Sequence, residues 1–107
     1  MASEKVHHLT DSNFDDQIKS GMSLVDFWAE WCAPCVALGP TIDRLAETYD
    51  GKVKVNKVDI DKNQALPARY GIRSIPTVML FKDGEALGVV TGNDPNQIEK
   101  MVQQHVN

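Results

Sequence analysis

Apolar and polar positions along the 107-residue chain follow two alternating rhythms, one of period two and one of period 3.6. Val6 to Leu9 reads as a first short strand. Thr10, Asp11 or Ser12 is placed to cap a helix that carries Phe14 and Ile18 on one face and ends before Gly21. Leu24 to Ala29 is an apolar run of the kind buried on both faces of a sheet, although Asp26 sits inside it. From Pro34 to Tyr49 the positions Cys35, Leu38, Ile42, Leu45, Ala46 and Tyr49 recur at helical spacing until Asp50-Gly51 closes the segment. Pro40 lies within this helix and removes the hydrogen bond to the Val36 carbonyl, which predicts a kink. Val53 to Ile60 predicts a strand, and Asn63 to Tyr70 a short helix before Gly71. Thr77 to Phe81 and Glu85 to Thr91, joined by Lys82-Asp83-Gly84, predict an antiparallel hairpin. Asp94-Pro95 opens a last helix with a cap and a proline in its first turn, and Ile98, Met101 and Val102 form its apolar stripe.

The resulting order, βαβαβαββα, alternates strands and helices in the first half and closes on a hairpin. It predicts an α/β fold, with a central mixed five-stranded sheet flanked by four helices.

Composition narrows the function classes. A chain of this length makes one domain, residues 1–107, able to bury roughly 60 to 70% of its unfolded surface around a core without a metal or a disulfide framework. With 42% hydrophobic and 24% charged residues, the composition is that of an ordinary soluble globular protein. A net charge of -4, with the 11 basic residues scattered, points away from nucleic acid and from anionic membrane surfaces. The N-terminal stretch MASEKVHHLTDSNF has no apolar core of a signal peptide, and no window approaches a membrane span. The expected location is the cytoplasm.

The two cysteines carry the chemistry. Cys32 and Cys35 are spaced Cys-x-x-Cys at a strand-to-helix junction, where i, i+3 spacing brings their Cα atoms within disulfide range. So short a loop gains little stability from a crosslink, which favours redox exchange over a structural role. Cys32 stands at the helix N-terminus, where free N–H groups favour its thiolate. Pro34 in the first turn costs no hydrogen bond, and Cys35, one turn inside, is expected to be the less exposed partner. Zinc is the competing reading. His7, His8 and His105 lack the short regular spacing of a structural zinc site, so no metal is expected; His7 and His8 read as strand-edge residues and His105 as part of a frayed terminus.

Asp26 raises a different question. Burying an ionised carboxylate without a partner costs several kcal/mol or raises its pKa. Alternation along Val53 to Lys57 puts Lys57 on the side of Val53 and Val55, an odd place for an ammonium without a partner. The two residues make either a structural ion pair or a device serving the cysteines. Lys52, Lys54 and Lys57 together read as a solvated strand edge with one such pair.

Trp31-Cys32-Ala33-Pro34-Cys35 following LVDFWAEW, the Ile75-Pro76-Thr77 element and Gly92 after a strand together resemble the thioredoxin family, over essentially the whole chain. The resemblance implies a thioredoxin fold and a protein-disulfide reductase in which Cys32 attacks, Cys35 resolves and the two form a disulfide. Trp28 and Trp31 would pack around the pair. Pro76 would be a cis-proline facing it, and Ile75 and Thr77 would flank a groove where a substrate strand pairs. Ala33, Trp31, Thr91 and Gly92 would border that groove. Asp26 would lie behind Cys35, with Lys57 its neighbour, and accept the Cys35 proton directly or through a water. The implied partners are disulfide-containing proteins and a thioredoxin reductase, a flavin enzyme drawing on NADPH. The chain itself would bind no cofactor and act as a monomer.

Two positions at the cysteine pair depart from the family pattern, as does the surround of Gly92. Ala33 stands where glycine is usual, and alanine favours the helical turn by up to about 1 kcal/mol. Val36 stands where lysine is common; losing that cation weakens thiolate stabilisation at Cys32 and enlarges an apolar rim of Trp31, Ala33, Pro34, Ile75 and Pro76. Thr91, Asn93 and Asp94 make the side around Gly92 more polar than usual. Two other functions remain consistent with the sequence. One is a binding module or assembly subunit that does not need the cysteines. The other is an oxidant or isomerase, against which the absence of a polar residue between the cysteines argues.

Overall fold

Strand β2 (Met22–Trp28) occupies the middle of a single sheet because both of its faces are apolar, and the other elements are arranged around it. The computed structural model describes residues 2–106. Five strands, β1 (Val6–Leu9), β2, β3 (Val53–Asp59), β4 (Thr77–Lys82) and β5 (Glu85–Thr91), pair in the order β1-β3-β2-β4-β5. β1 and β2 run parallel to β3, whereas β4 is antiparallel to both β2 and β5, so the sheet is mixed as the element order requires. The described residues also form four helices: α1 (Phe14–Ile18), α2 (Ala33–Thr48), α3 (Ala65–Tyr70) and α4 (Pro95–Val106).

Each face of the sheet has its own core. On one side Leu24, Val55, Val78 and Leu80 pack against Leu38, Ile42 and Leu45 of α2 and Ile98 and Val102 of α4. On the other, Val25, Phe27, Val58 and Phe81 pack against Phe14 and Ile18 of α1 and Leu66 of α3. Strand alternation assigns Asp26, two residues after Leu24 and two before Trp28, to the α2 side.

Several boundaries differ from the sequence pattern, each for a local reason. β2 begins at Met22, before Leu24, because β3 and β4 extend far enough to pair with Met22 and Ser23, and it ends at Trp28, before Ala29. Helix α1 starts after Asn13, and none of Thr10, Asp11 or Ser12 caps it. Asp11 serves another helix: its carboxylate accepts hydrogen bonds from the N–H groups of Leu66 (3.2 Å) and Ala65 (3.4 Å) at the start of α3. Asn63, expected inside that helix, precedes it; its side chain donates to the Asp59 carbonyl and accepts from the Asp11 N–H. α2 begins at Ala33 and runs through Pro40, and Tyr49 is its C-cap.

The lysines of β3 do not line a solvated edge, because β3 lies between β1 and β2. Lys54 turns its ammonium to the end of α1, donating to the carbonyls of Gln17 and, at 2.8 Å, Ser20. His7 and His8 are exposed on β1, an edge strand, as expected. His105 is not in a frayed end: it lies within α4, its Nδ1 2.9 Å from the Met101 carbonyl.

The hairpin closes with Lys82 opposite Glu85, and Asp83 (φ 50°) and Gly84 (φ 85°) supply the two left-handed residues of a type I′ turn. Its tip is tied to the start of β2: Asp83 donates its N–H to the Gly21 carbonyl and accepts the Gly21 N–H on its side chain at 2.8 Å.

Candidate active site

At the C-terminal end of β2 the chain turns through Ala29, Glu30 and Trp31 and enters α2 with Cys32 as its N-cap. The Cys32 N–H donates to the Ala29 carbonyl at 3.1 Å, and its carbonyl accepts from the Val36 N–H at 3.0 Å. Its sulfur accepts the Cys35 N–H at 3.2 Å, so one of the free donors at the helix end is aimed at Sγ. Cys32 and Cys35 are paired as a disulfide with Cα atoms 5.2 Å apart. Cys32 is 5% exposed and Cys35 fully buried, the asymmetry the spacing predicts. Pro34 lies in the first turn, where no hydrogen bond is lost, and Ala33 and Pro34 are both exposed beside the pair. In the dithiol form this geometry favours a thiolate on Cys32, the form that attacks disulfides.

The loop before β4 forms the facing wall. The Ile75-Pro76 peptide is cis, and the Ile75 carbonyl oxygen lies 3.8 Å from the Cys32 sulfur. Ile75 is half-buried against the cysteine cluster, together with Trp28 and Ile60. Ile75 makes no backbone–backbone hydrogen bond among the described residues, so its N–H and C=O, the latter facing only the Cys32 sulfur at 3.8 Å, are available to pair with another strand. Thr77 is more enclosed than a groove-lining residue needs to be: it is 3% exposed, and its hydroxyl donates to the Ser74 carbonyl at 2.6 Å. Thr91, opposite Thr77 in the β4–β5 register, is exposed. Gly92 has φ 88°, which accounts for glycine there, and donates its N–H to the Pro76 carbonyl at 2.8 Å.

The two tryptophans separate. Trp28 is half-buried against the cysteine pair, whereas Trp31 is 70% exposed and donates its indole N–H to Asp61 at 2.8 Å. Val36, one residue past Cys35, is 55% exposed and extends the apolar rim. Neither Asp61 nor Ile60 stands out as a site residue in the sequence. The acidic Asp59-Ile60-Asp61 stretch at the end of a strand was their only signal.

Asp26 is fully buried, and neither carboxylate oxygen has a hydrogen-bond partner among the described residues. Burial pushes its pKa from the ordinary 3.8 up to about 7, against a smaller opposing pull from Lys57. Lys57 faces Asp26 directly across the β2–β3 pair but makes no ion pair with it among the described residues. Its ammonium stands over the Trp28 ring, 4.4 Å from the centroid. The structure therefore offers a buried carboxyl group able to gain or lose a proton near neutral pH, on the face of the sheet covered by α2.

Among the described residues no three His, Cys, Asp or Glu side chains gather as a metal-binding set, and no helix is long and apolar enough to cross a membrane.

Comparison with known proteins agrees with this geometry. The family model described as Thioredoxin matches residues 5–104. Thioredoxins of Staphylococcus saprophyticus and Staphylococcus haemolyticus are 46% and 44% identical to the chain over 99 residues, covering 92% of it and 95% of each relative. A thioredoxin of Staphylococcus aureus is 40% identical over the same length and shares. The crystal structure of Malassezia sympodialis thioredoxin (Mala s 13), described as a member of a pan-allergen family, superimposes with a TM-score of 0.86 at 33% identity, covering 95% of this chain and 91% of that one.

Proposed function

The chain belongs to the thioredoxin family, and from that premise we propose that it reduces protein disulfides through Cys32 and Cys35, with Asp26 managing the proton of the second step. The family assignment makes it a thiol-disulfide oxidoreductase, specifically a protein-disulfide reductase, that needs no bound cofactor. The observation that carries the site assignment is the Cys32 sulfur at the N-cap of α2, accepting the Cys35 N–H while bonded to the Cys35 sulfur.

In the proposed cycle the Cys32 thiolate attacks a substrate disulfide, forming a mixed disulfide and releasing one substrate thiolate. Cys35 gives its proton to ionised Asp26, directly or through a water, and its thiolate attacks the Cys32 sulfur. The second substrate thiolate leaves, the substrate has gained two electrons, and Cys32-Cys35 is oxidised. Lys57, held over Trp28, tunes Asp26 from the neighbouring strand. Pro34 shapes the first turn of α2. The backbone groups of Ile75, beside Pro76 and without a backbone partner among the described residues, support pairing with a substrate strand, with Trp31, Ala33, Thr77, Thr91 and Gly92 bordering it. The oxidised pair is re-reduced by an NADPH-dependent flavin reductase, and the chain works as a single-domain monomer in the cytoplasm.

Trapping tests the assignment. With a disulfide-containing protein substrate, Cys35→Ser accumulates a mixed disulfide at Cys32 and Cys32→Ser forms none; a double variant that retains full function moves the reading to a cysteine-independent binding module. Equilibration with glutathione or dithiothreitol buffers then separates roles. A potential near roughly -270 mV fits a general reductase, and one tens of millivolts higher fits an oxidant.

A further inference from the structure

Beside the cis-proline loop, a cleft of about 330 Å³ opens between the Tyr70–Ser74 segment and the outer strand β5. Its walls are Tyr70, Ile72, Met79 and Val89, with Arg73 and Thr91 at the rim. We propose that this cleft is a specificity subsite that receives an apolar side chain of a disulfide-containing protein substrate, with an adjacent substrate carboxylate on Arg73. This rests on the reading of Ile75 as the substrate-pairing segment.

Three observations support it. The first is exposure: Val89 is 56% exposed although it sits next to buried Met79 in the β4–β5 register, so an apolar surface is left uncovered at the sheet edge. The second is continuity. The cleft includes Thr77 and Thr91, and the Gly92 N–H to Pro76 carbonyl bond joins this edge to the loop whose Ile75 oxygen lies 3.8 Å from the Cys32 sulfur. Met79 is four residues along the chain from Ile75, at most roughly 13 Å even at full strand rise because a cis peptide precedes β4, so an extended substrate reaches the cleft within about four residues of its attacked cysteine.

The third is charge. Arg69 on the same helix-to-loop segment is held by Asp15 at 2.7 Å, whereas Arg73 makes no ion pair among the described residues. The sheet order β3-β2-β4-β5 puts Asp59, the last residue of β3, and Asp61 in the turn after it across the β2–α2 junction from Arg73. Those carboxylates and the overall charge of -4 repel an acidic segment, whereas the Arg73 guanidinium attracts it locally, although Asp94 beyond Gly92 adds a carboxylate on the same side.

Disulfide-bonded peptides test the subsite. They carry Leu-Asp, Leu-Lys or Ser-Asp four residues from the attacked cysteine, and the readout is kcat/KM for their reduction. The unaltered protein is expected to favour Leu-Asp over Leu-Lys by about fivefold at low salt, with the preference shrinking as salt rises. Arg73→Glu reverses that ratio, and Val89→Ser erases the preference for Leu-Asp over Ser-Asp. A flat ranking, or one that neither substitution changes, overturns the subsite; if the unaltered protein still reduces oxidised glutathione, the Cys32-Cys35 reading stands alone. Reduction of neither peptides nor oxidised glutathione removes both readings.

Discussion

Lys57 faces Asp26 across the parallel β2–β3 pair, yet its ammonium rests 4.4 Å from the centroid of the Trp28 ring rather than on the carboxylate. The aromatic face takes the cation without neutralising the acid, so Asp26 stays desolvated and its pKa stays high.

Lys57→Gln follows directly from that arrangement. Lys57 opposes the upward shift at Asp26, so its removal moves the Asp26 titration to higher pH and takes the pH midpoint of the second exchange step with it. Carboxyl titration by NMR, followed alongside Trp28 fluorescence, checks this. An unmoved Asp26 midpoint contradicts the electrostatic contact between the two.

Asp26→Asn separates stability from turnover. The native chain holds the Asp26 proton up to about pH 7, whereas an unfolded aspartate releases it near 3.8. Stability from this group is therefore full below about pH 4 and is lost as pH rises through about 7. Replacing the carboxyl group stabilises the fold by on the order of a few kcal/mol at pH 8 and by little at pH 4. Denaturant unfolding at the two pH values measures the difference. The same variant is expected to slow turnover at pH 7 by about tenfold to a hundredfold, and unchanged turnover removes the proton-acceptor role.

Val36→Lys places a cation one residue past Cys35, on the first turns of the helix that Cys32 caps. The thiolate fraction of Cys32 rises, and its alkylation rate at pH 6 increases by about threefold, less at high salt. A rate that falls or stays constant shows that the helix end alone sets the reactivity of Cys32.

Asp11→Ala tests a long-range cap. The loss of two hydrogen bonds at the start of α3 costs about 1 kcal/mol, or roughly 4 to 8 °C in Tm. Amide exchange at Ala65 and Leu66 accelerates. If it accelerates at the start of α1 instead, Asp11 caps the helix that follows it in sequence.

What the sequence made legible was local and periodic. The Cys-x-x-Cys spacing located the disulfide and its helix end, and alternation along β3 put Lys57 on the side of Val53 and Val55, where it lies. Its partner was not legible, because an ammonium chooses between a carboxylate and a ring by the path of its own side chain. Asp11 caps a helix that starts 54 residues later, which no local signal encodes. The lysines of β3 looked like an edge because strand order follows from pairing, and pairing is non-local. The same holds for the cleft at Val89 and Arg73, which draws its walls from β4, β5 and the loop after α3.

The clasp between Gly21 and Asp83 has a practical consequence. It fastens the hairpin tip to one end of β2, and Cys32 follows the other end, so seven residues of strand, roughly 23 Å, separate them. A linker attached at the exposed side chain of Lys82 or Glu85, which leaves the Asp83–Gly21 clasp intact, would orient the molecule on a solid support with its redox face outward. Immobilised in this way, the protein would keep the whole Trp31–Ile75 surface open to bulky clients.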